Sequence, residues 1–162
     1  EVGVEFNSLS KTYGLAGARI GFCVGNPEVV KHLKLLKSNM DYGMFLPIQK
    51  AAVAAITGDQ TCVETTRAAY EKRRDVLCDG LNAIGWKIPK PEATMFVWAP
   101  VPESFTSSEE FAVELVKKSG VLVTPGSAFG PSGEGYVRMA LVQDEPELKK
   151  GIAAIEACGI LK

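Results

Sequence analysis

The sequence predicts an α/β protein, and three observations support that class. Residues 2–9 and 20–24 are short apolar segments with β-branched side chains, which favour strands, and the second suits the interior of a sheet covered on both faces. Apolar residues recur at spacings of seven, seven, four and three within residues 60–84, which is one face of a long helix. After Gly85, short apolar segments alternate with helical ones, as in a small sheet that helices cover on one side.

After these two strands, the first half of the chain is predicted to contain two helices separated by a loop. Asn26 before Pro27 predicts a helix with Asn26 as its N-cap, and that helix is expected to end near Lys37. Residues 38–45 mix polar and aromatic side chains and predict an irregular loop. The Ala-rich residues 46–56 then predict a second, closely packed helix.

The second half is predicted to hold shorter elements. Strands are expected at residues 86–88, 94–99, 121–124 and 136–142. Ser107 and Glu110 form a capping box, which predicts a helix that runs to about Ser119. The glycine-rich residues 130–135 lead into a strand, so they predict a turn and not a nucleotide-binding loop. The final helix is expected to start at Pro146.

Composition narrows the classes of function. The chain has 162 residues, 46% of them hydrophobic, with a formal net charge of -1 and a pI near 5.9. These values are ordinary for a globular protein and offer no basic surface to nucleic acid or an anionic membrane. No apolar run approaches the roughly 20 residues that span a bilayer, so a cytoplasmic location is the default expectation. The four cysteines lack a Cys-x-x-Cys pair and the chain has one histidine, so free buried thiols are expected and a metal site is not.

The strongest chemical signal lies in residues 8–21. Lys11 is the candidate nucleophile, because a lysine amine attacks an aldehyde in its neutral form, which a neighbouring cation in a partly desolvated pocket favours. Arg19 is the candidate cation, and its planar fork of donors also suits a dianionic phosphate. The hydroxyls of Ser8 and Ser10 would add neutral donors to that phosphate. These residue types together predict a site for pyridoxal phosphate.

A plainer interpretation of the same residues is a solvated lysine in a polar loop. For an isolated Ser-x-Ser-Lys motif that interpretation would be favoured. Here the motif continues as Gly-x-x-Gly-x-Arg-x-Gly between two apolar strands, and glycines at 14 and 17 allow tight turns and a close approach of backbone to a ligand. The continuation favours the binding site.

With these residues in view, residues 8–21 resemble the lysine signature of the class I/II aminotransferases, which are pyridoxal phosphate-dependent enzymes of fold type I. The resemblance continues along the chain through residues 125–130 and 135–141, in the same order. Within that family the chain looks most like the aminotransferase A and LL-diaminopimelate aminotransferase-like branch. The resemblance implies that residues 1–58 end the large cofactor-binding domain, and that residues 59–162 form a bridging helix and the small C-terminal domain.

Arg138 is the second residue of interest. It stands within the apolar residues 137–141, where an unpaired cation would be costly to bury, so an anionic partner is expected. A structural salt bridge would satisfy that expectation. The resemblance implies instead that Arg138 binds the substrate α-carboxylate through two parallel hydrogen bonds.

The resemblance further implies an enzyme that transfers an amino group between an amino acid and a 2-oxo acid and that is a homodimer at full length. Lys11 would be its catalytic residue, pyridoxal 5'-phosphate its cofactor, and Ser8, Ser10 and Arg19 its phosphate ligands. The first six residues read as a strand already under way without an initiating methionine. We therefore expect the chain to be the C-terminal part of a longer polypeptide, and to be inactive by itself because the family's remaining cofactor contacts would precede it.

Two other hypotheses stay open on the sequence. Relatives with the same fold and cofactor perform β-elimination, decarboxylation or acyl transfer, and residues 8–21 fit transaminases best among these. The chain could also be a non-catalytic interaction module that has kept the shape of the motifs.

Overall fold

The computed structural model describes residues 2–162. They form two compact units, residues 2–67 and Ala68–Lys162. Helix α4, Thr61–Ala83, begins in the first unit and ends in the second. Across residues 2–162, no helix combines the length and the apolar character needed to cross a membrane.

The first unit is built on two antiparallel strands. Strand β1, Val4–Ser8, pairs with β2, Gly21–Gly25, in a ladder that runs from the Val4–Gly25 pair to the Ser8–Gly21 pair. Both strands predicted here are confirmed. The second strand was also expected to lie inside a sheet that is covered on both faces. In the structure both strands are edges of a two-stranded sheet, and Phe22 and Val24 on β2 are 44% and 48% exposed.

The helices of the first unit follow their predicted caps. Helix α1, Leu9–Thr12, lies in the connection between the strands, while α2 spans Pro27–Met40 and α3 spans Leu46–Thr57. The side chain of Asn26 accepts from the amides of the first turn of α2, as predicted. Helix α2 continues past the predicted end at Lys37 to Met40, and within this extension Ser38 and Asn39 donate to the Leu35 carbonyl.

The second unit contains a three-stranded antiparallel sheet and two further helices. Strands β3, β4 and β5 lie in the order β3-β5-β4, so β5 is central. The bounds are β3 Phe96–Pro100, α5 Ser108–Ser119, β4 Thr124–Pro125, β5 Tyr136–Ala140 and α6 Glu145–Cys158. Residues on α4 and α5 that are fully buried, Cys78, Leu81, Phe111 and Leu115, centre the core of this unit.

Two predicted strands differ from the structure. Residues 86–88 form no strand. The backbone amide of Ile88, which would otherwise pair with a neighbouring strand, donates instead to the side-chain oxygen of Asn82 at 3.2 Å. Trp86 is still buried, and its indole donates to the Pro100 carbonyl at 2.8 Å. The strand expected at 121–124 is reduced to Thr124–Pro125.

Helix α5 has the predicted N-cap, Ser107, but its capping box differs from the usual one in the group that Glu110 contacts. The hydroxyl of Ser107 accepts from the Glu110 amide at 3.1 Å. The Glu110 carboxylate accepts from the Thr106 hydroxyl at 3.0 Å, one residue further out than a capping box requires. Helix α6 starts one residue before Pro146, with Asp144 as its N-cap.

The two faces of the sheet in the second unit differ in character. Val97, Ala99, Val137 and Met139 point into the core. The alternate residues of β3 and β5 lie on the opposite, half-exposed face, which we call the aromatic face and which carries Phe96, Trp98, Tyr136 and Arg138. Trp98 lies directly opposite Arg138 in the ladder.

The loop between β4 and β5 consists of two 3-10 turns, Gly126–Phe129 and Pro131–Gly133, and leads into β5. The turn predicted at residues 130–135 is therefore confirmed. The two turns touch backbone to backbone: a Cβ on Gly126 would overlap the carbonyl of Gly133, and a Cβ on Gly133 would overlap that of Gly126. Only glycine permits this contact, which fixes the shape of the loop.

Replacing Gly126 by alanine should destabilise the second unit by about 3 kcal/mol, because the backbone of the neighbouring turn cannot move aside at low cost. Denaturant unfolding followed by tryptophan fluorescence measures this unit alone, since Trp86 and Trp98 both lie in it. The control is Gly151→Ala in helix α6 of the same unit, where the added methyl group would meet only the Val121 side chain, at 3.6 Å. Equal midpoints for the two variants would contradict the prediction.

Candidate functional site

The residues predicted around Lys11 lie in one closed loop of the first unit. The Ser8–Gly21 pair ends the β1–β2 ladder, and the Leu9 amide donates to the Ile20 carbonyl at 3.4 Å. Leu9 is buried, with 2% of its surface exposed, and anchors the loop from inside. Residues 9–20 thus leave and return at the same end of the ladder, which keeps Lys11 between Ser8 and the returning segment.

Ser8 and Ser10 form a pair of hydroxyls at the start of this loop. Ser8 caps helix α1 and accepts from the Ser10 amide at 3.1 Å. Its hydroxyl oxygen lies 2.9 Å from that of Ser10. The structure therefore brings together the two neutral donors predicted for a phosphate.

Arg19 closes the loop in an unusual backbone conformation. Its φ and ψ are 51° and 46°, in the left-handed region, where a residue with a Cβ costs about 1–2 kcal/mol. Its guanidinium donates to the Ala16 carbonyl at 3.0 Å. Backbone strain of this kind occurs preferentially at functional sites, so the observation supports a role for Arg19 beyond folding.

Lys11 is exposed on helix α1. Residues 8–21 contain Lys11 and Arg19 and no aspartate or glutamate, and among residues 2–162 no carboxylate lies at ion-pair distance from the Lys11 amine. The loop is therefore a positively charged segment with a primary amine, two hydroxyls and a guanidinium. That donor set fits an aldehyde that carries a phosphate group.

The glycines of the loop have different structural roles. Gly14 has a φ of 65°, so it needs the freedom that glycine provides. Gly17 has open space around its missing Cβ and lies outside the left-handed region. The described residues therefore explain a glycine at 14, while the expectation for Gly17 depends on a ligand.

A tether that the sequence did not reveal holds the loop to the rest of the first unit. The Tyr13 hydroxyl donates to the side-chain oxygen of Gln60 at 2.9 Å. The amide nitrogen of Gln60 donates to the Ala55 and Gly58 carbonyls at the end of α3, at 3.0 and 2.8 Å. Tyr13 is thus fixed to the end of α3 through Gln60, which lies 47 residues away along the chain.

Arg138 lies in the second unit, on the aromatic face. Its guanidinium carbon is 4.2 Å from the ring centre of Phe96 and 4.4 Å from that of Phe129. Within residues 2–162 it has no carboxylate or carbonyl partner, so the structural salt bridge considered for it is absent from the described chain. No unpartnered side-chain nitrogen in that range is buried, so its donors reach solvent.

Glu134 fastens the loop that carries Phe129. Its carboxylate accepts from the amides of Gly135 and Ser108, at 2.8 and 2.6 Å, and from the Ser108 hydroxyl at 3.2 Å. Ser108 is fully buried at the start of α5, and its hydroxyl oxygen also accepts from the Ser127 amide at 3.3 Å. The hydrogen bonds from the Gly135 and Ser108 amides hold the pKa of the Glu134 carboxyl below its ordinary value.

Comparison with known proteins identifies the family. Residues 2–155 match the family model of the class I and II aminotransferases. The chain belongs to this family. Its relatives include the LL-diaminopimelate aminotransferase of Dehalococcoides mccartyi, 47% identical over 155 residues, which are 96% of this chain and 40% of that protein. The glutamate-pyruvate aminotransferase AlaC of Escherichia coli is 46% identical over 159 residues, 97% of this chain and 39% of that protein.

Solved structures agree with the assignment to the aminotransferases. Substrate-bound BacF from Bacillus subtilis superposes with a TM-score of 0.90 at 35% identity and covers 96% of this chain and 40% of its own. An aspartate aminotransferase mutant from Thermus thermophilus gives a TM-score of 0.88 at 28% identity, with 96% and 41% coverage. This aminotransferase chain therefore has part of the fold-type I architecture. It spans about 40% of the length of the curated relatives it matches.

The sequence did not reveal several residues that shape the two candidate regions. Phe96 lies within the strand predicted at residues 94–99, and strand alternation with Val97 and Ala99 in the core places it on the other face. The roles of Phe129 and Glu134 depend on the loop conformation, which local sequence does not specify. The thiols are free but only Cys78 is buried, and the expectation of four buried cysteines was wrong.

Two substitutions at Arg19 should separate backbone strain from binding. Arg19→Ala keeps the left-handed backbone with a Cβ, whereas Arg19→Gly relieves it, so the glycine variant should be more stable by about 1 kcal/mol. Amide hydrogen exchange in β1 and β2 measures the difference. Equal protection in both variants would show that the conformation at Arg19 carries no strain.

The Glu134 loop should weaken in acid. The pKa of the Glu134 carboxyl is lower in the folded protein than in the unfolded chain. The ionised carboxylate therefore stabilises the fold above about pH 4.3, the ordinary glutamate pKa, and this stabilisation is lost as the pH falls through the lower pKa of the folded state. Glu134→Gln removes this titration. The stability difference between wild type and variant should shrink from pH 6 to about pH 3, as measured by urea unfolding with tryptophan fluorescence; a constant difference would argue against the role.

Proposed function

We propose that this chain provides the catalytic lysine, the phosphate ligands and the substrate-carboxylate arginine of a pyridoxal phosphate-dependent aminotransferase. The observation that carries the proposal is the closed segment 8–21, which contains an amine, two serine hydroxyls and a guanidinium without any acidic residue. Membership of the aminotransferase family supports it, because that family uses this cofactor.

The loop residues divide the work of binding. Arg19 and the hydroxyls of Ser8 and Ser10 would hold the cofactor phosphate, the guanidinium by charge and the hydroxyls by neutral hydrogen bonds. The hydroxyl protons of Ser8 and Ser10 can turn from their present partners towards a phosphate oxygen, since a hydroxyl rotates freely about its C–O bond. Tyr13 holds the loop in place through Gln60.

Lys11 would have two tasks. Its amine would be the group that holds the cofactor aldehyde, and when free it would serve as the general base for the proton on the substrate Cα. When bound, pyridoxal phosphate supplies the electron sink that makes this proton removable.

Arg138 would bind the α-carboxylate shared by the amino acid and the 2-oxo acid. A guanidinium gives two parallel hydrogen bonds to a carboxylate, which an ammonium group cannot do. Its donors have no acceptor among residues 2–162 and reach solvent, so they are available to a ligand. One residue can then serve both halves of a transamination.

The wider properties of the enzyme are part of the same proposal. We assign residues 1–58 to the cofactor domain and 59–162 to the bridging helix and small domain of a cytoplasmic homodimer. The names of the relatives direct the search for substrates to LL-diaminopimelate and to glutamate with pyruvate. Product analysis should find a 2-oxo acid and pyridoxamine phosphate; ammonia or carbon dioxide would indicate a lyase or decarboxylase.

Lys11→Ala should abolish capture of the cofactor. Incubation with pyridoxal phosphate, borohydride reduction and mass spectrometry of the peptides locates the modified lysine, which should be Lys11. The matched control is Lys34→Ala, a removed lysine on helix α2 of the same unit. Binding by this chain alone should be weak, and tight stoichiometric binding would contradict that expectation.

Activity is tested by joining this chain to the preceding part of the Dehalococcoides mccartyi aminotransferase, in place of the 155 matched residues. The fusion should transaminate, and Lys11→Ala should lower its kcat by at least about 10³-fold, because the amine is both the attachment point and the base. A folded fusion whose activity does not respond to Lys11→Ala would end the proposal.

A further inference from the structure

Two phenyl rings meet the guanidinium of Arg138 from different elements of the second unit. Phe96 is the first residue of β3, and Phe129 ends the 3-10 turn after β4. Their ring centres lie 4.2 and 4.4 Å from the guanidinium carbon, well within the distance of a cation–π contact. Arg138 itself is half-buried on the central strand of the sheet.

This environment differs from that of the other arginines. Arg73 and Arg74 donate to the Leu141 and Pro91 carbonyls, and Arg19 donates to Ala16. Arg67 pairs with Glu64. Within residues 2–162, Arg138 is thus the arginine held by rings alone, with its N–H donors unused.

Rings and oxygen acceptors hold a guanidinium in different ways. A carbonyl or carboxylate occupies the N–H donors and so competes with a ligand for them. A phenyl ring attracts the cation through its quadrupole and leaves those donors unoccupied. Two rings can therefore restrict the rotamer of a long side chain while its binding edge stays available.

We propose that Phe96 and Phe129 are positioning residues that orient Arg138 for the carboxylate of its substrate. The proposal rests on the function proposed above and extends it to two side chains that contact the Arg138 guanidinium. Orientation in advance removes part of the entropy cost of ordering the arginine on binding. The rings therefore increase carboxylate affinity by orienting Arg138.

The position of Phe129 is itself fixed by its surroundings. Its ring packs edge-on against Trp98, with ring centres 5.7 Å apart, and Trp98 stacks on Tyr136 at 5.6 Å. The Gly126–Gly133 contact and the Glu134 carboxylate hold the loop beneath it. Phe129 is nevertheless 49% exposed, so burial in the core does not explain its presence.

The test uses the full 162-residue chain with 15N-labelled arginine. Ring currents should shift the Arg138 Nε–H proton upfield of the other arginines, and Phe129→Leu should reduce that shift while the Phe96 ring, at 4.2 Å, keeps the remainder. Phe129→Tyr keeps a ring and should restore it. Pyruvate serves as the carboxylate probe: millimolar pyruvate should move the Arg138 resonance, with an affinity about tenfold weaker in Phe129→Leu and near wild type in Phe129→Tyr.

Phe105→Leu is the matched control, because Phe105 packs on Phe111 in the same unit. It should leave the Arg138 shift and pyruvate affinity unchanged. Equal pyruvate affinity in wild type and Phe129→Leu, or an equal loss in Phe105→Leu and Phe129→Leu, overturns the proposal. Failure of the proposed function is recognised separately, as cofactor capture that does not depend on Lys11.

Discussion

The candidate cofactor region depends on one backbone pairing, that of Ser8 with Gly21 at the end of the β1–β2 ladder. Ordering the twelve residues 9–20 costs conformational entropy. The Ser8–Gly21 pairing, together with the buried side chain of Leu9, fixes both ends of this loop. A Cβ on Gly21 would come within 2.5 Å of the Asn7 carbonyl oxygen. Glycine at this position therefore permits the close strand approach that keeps Ser8 near the returning segment of Arg19.

The candidate carboxylate region is governed by a different constraint, the cost of a half-buried cation. Such a charge needs an anion, hydrogen-bond acceptors or polarisable surroundings. Arg74 uses the first two, with Asp75 and the Pro91 carbonyl, and the neighbouring acid raises its pKa. Arg138 uses aromatic rings instead. The protein thus stabilises the charge without using its donors, and this difference separates a structural arginine from one available to a ligand.

Sequence patterns predicted what depends on local chemistry. The Asn26 and Ser107 caps and the long helix after Gln60 follow from side chains within a few residues of each other, and these predictions are confirmed. The segment at Trp86 was predicted as a strand because its apolar pattern is the same whether Asn82 or a neighbouring strand satisfies its backbone. The residues around Lys11 were predicted as a set because they are close in sequence. Phe96 and Phe129 were not, since 33 positions separate them and only the fold places both beside Arg138.

Backbone strain links the two regions. Among residues 2–162, three residues with a Cβ have positive φ: Arg19 at 51°, Tyr42 at 56° and Thr94 at 77°. A β-branched residue such as Thr94 is a true outlier there, and it lies two positions before Phe96. Such strain persists where the surrounding structure over-determines the conformation, and selection for stability alone would replace these residues by glycine. Two of the three lie in segments that position candidate ligand-binding groups. The left-handed conformations at Arg19 and Thr94 therefore support the proposed binding roles of their two segments, because strain of this kind occurs preferentially at functional sites.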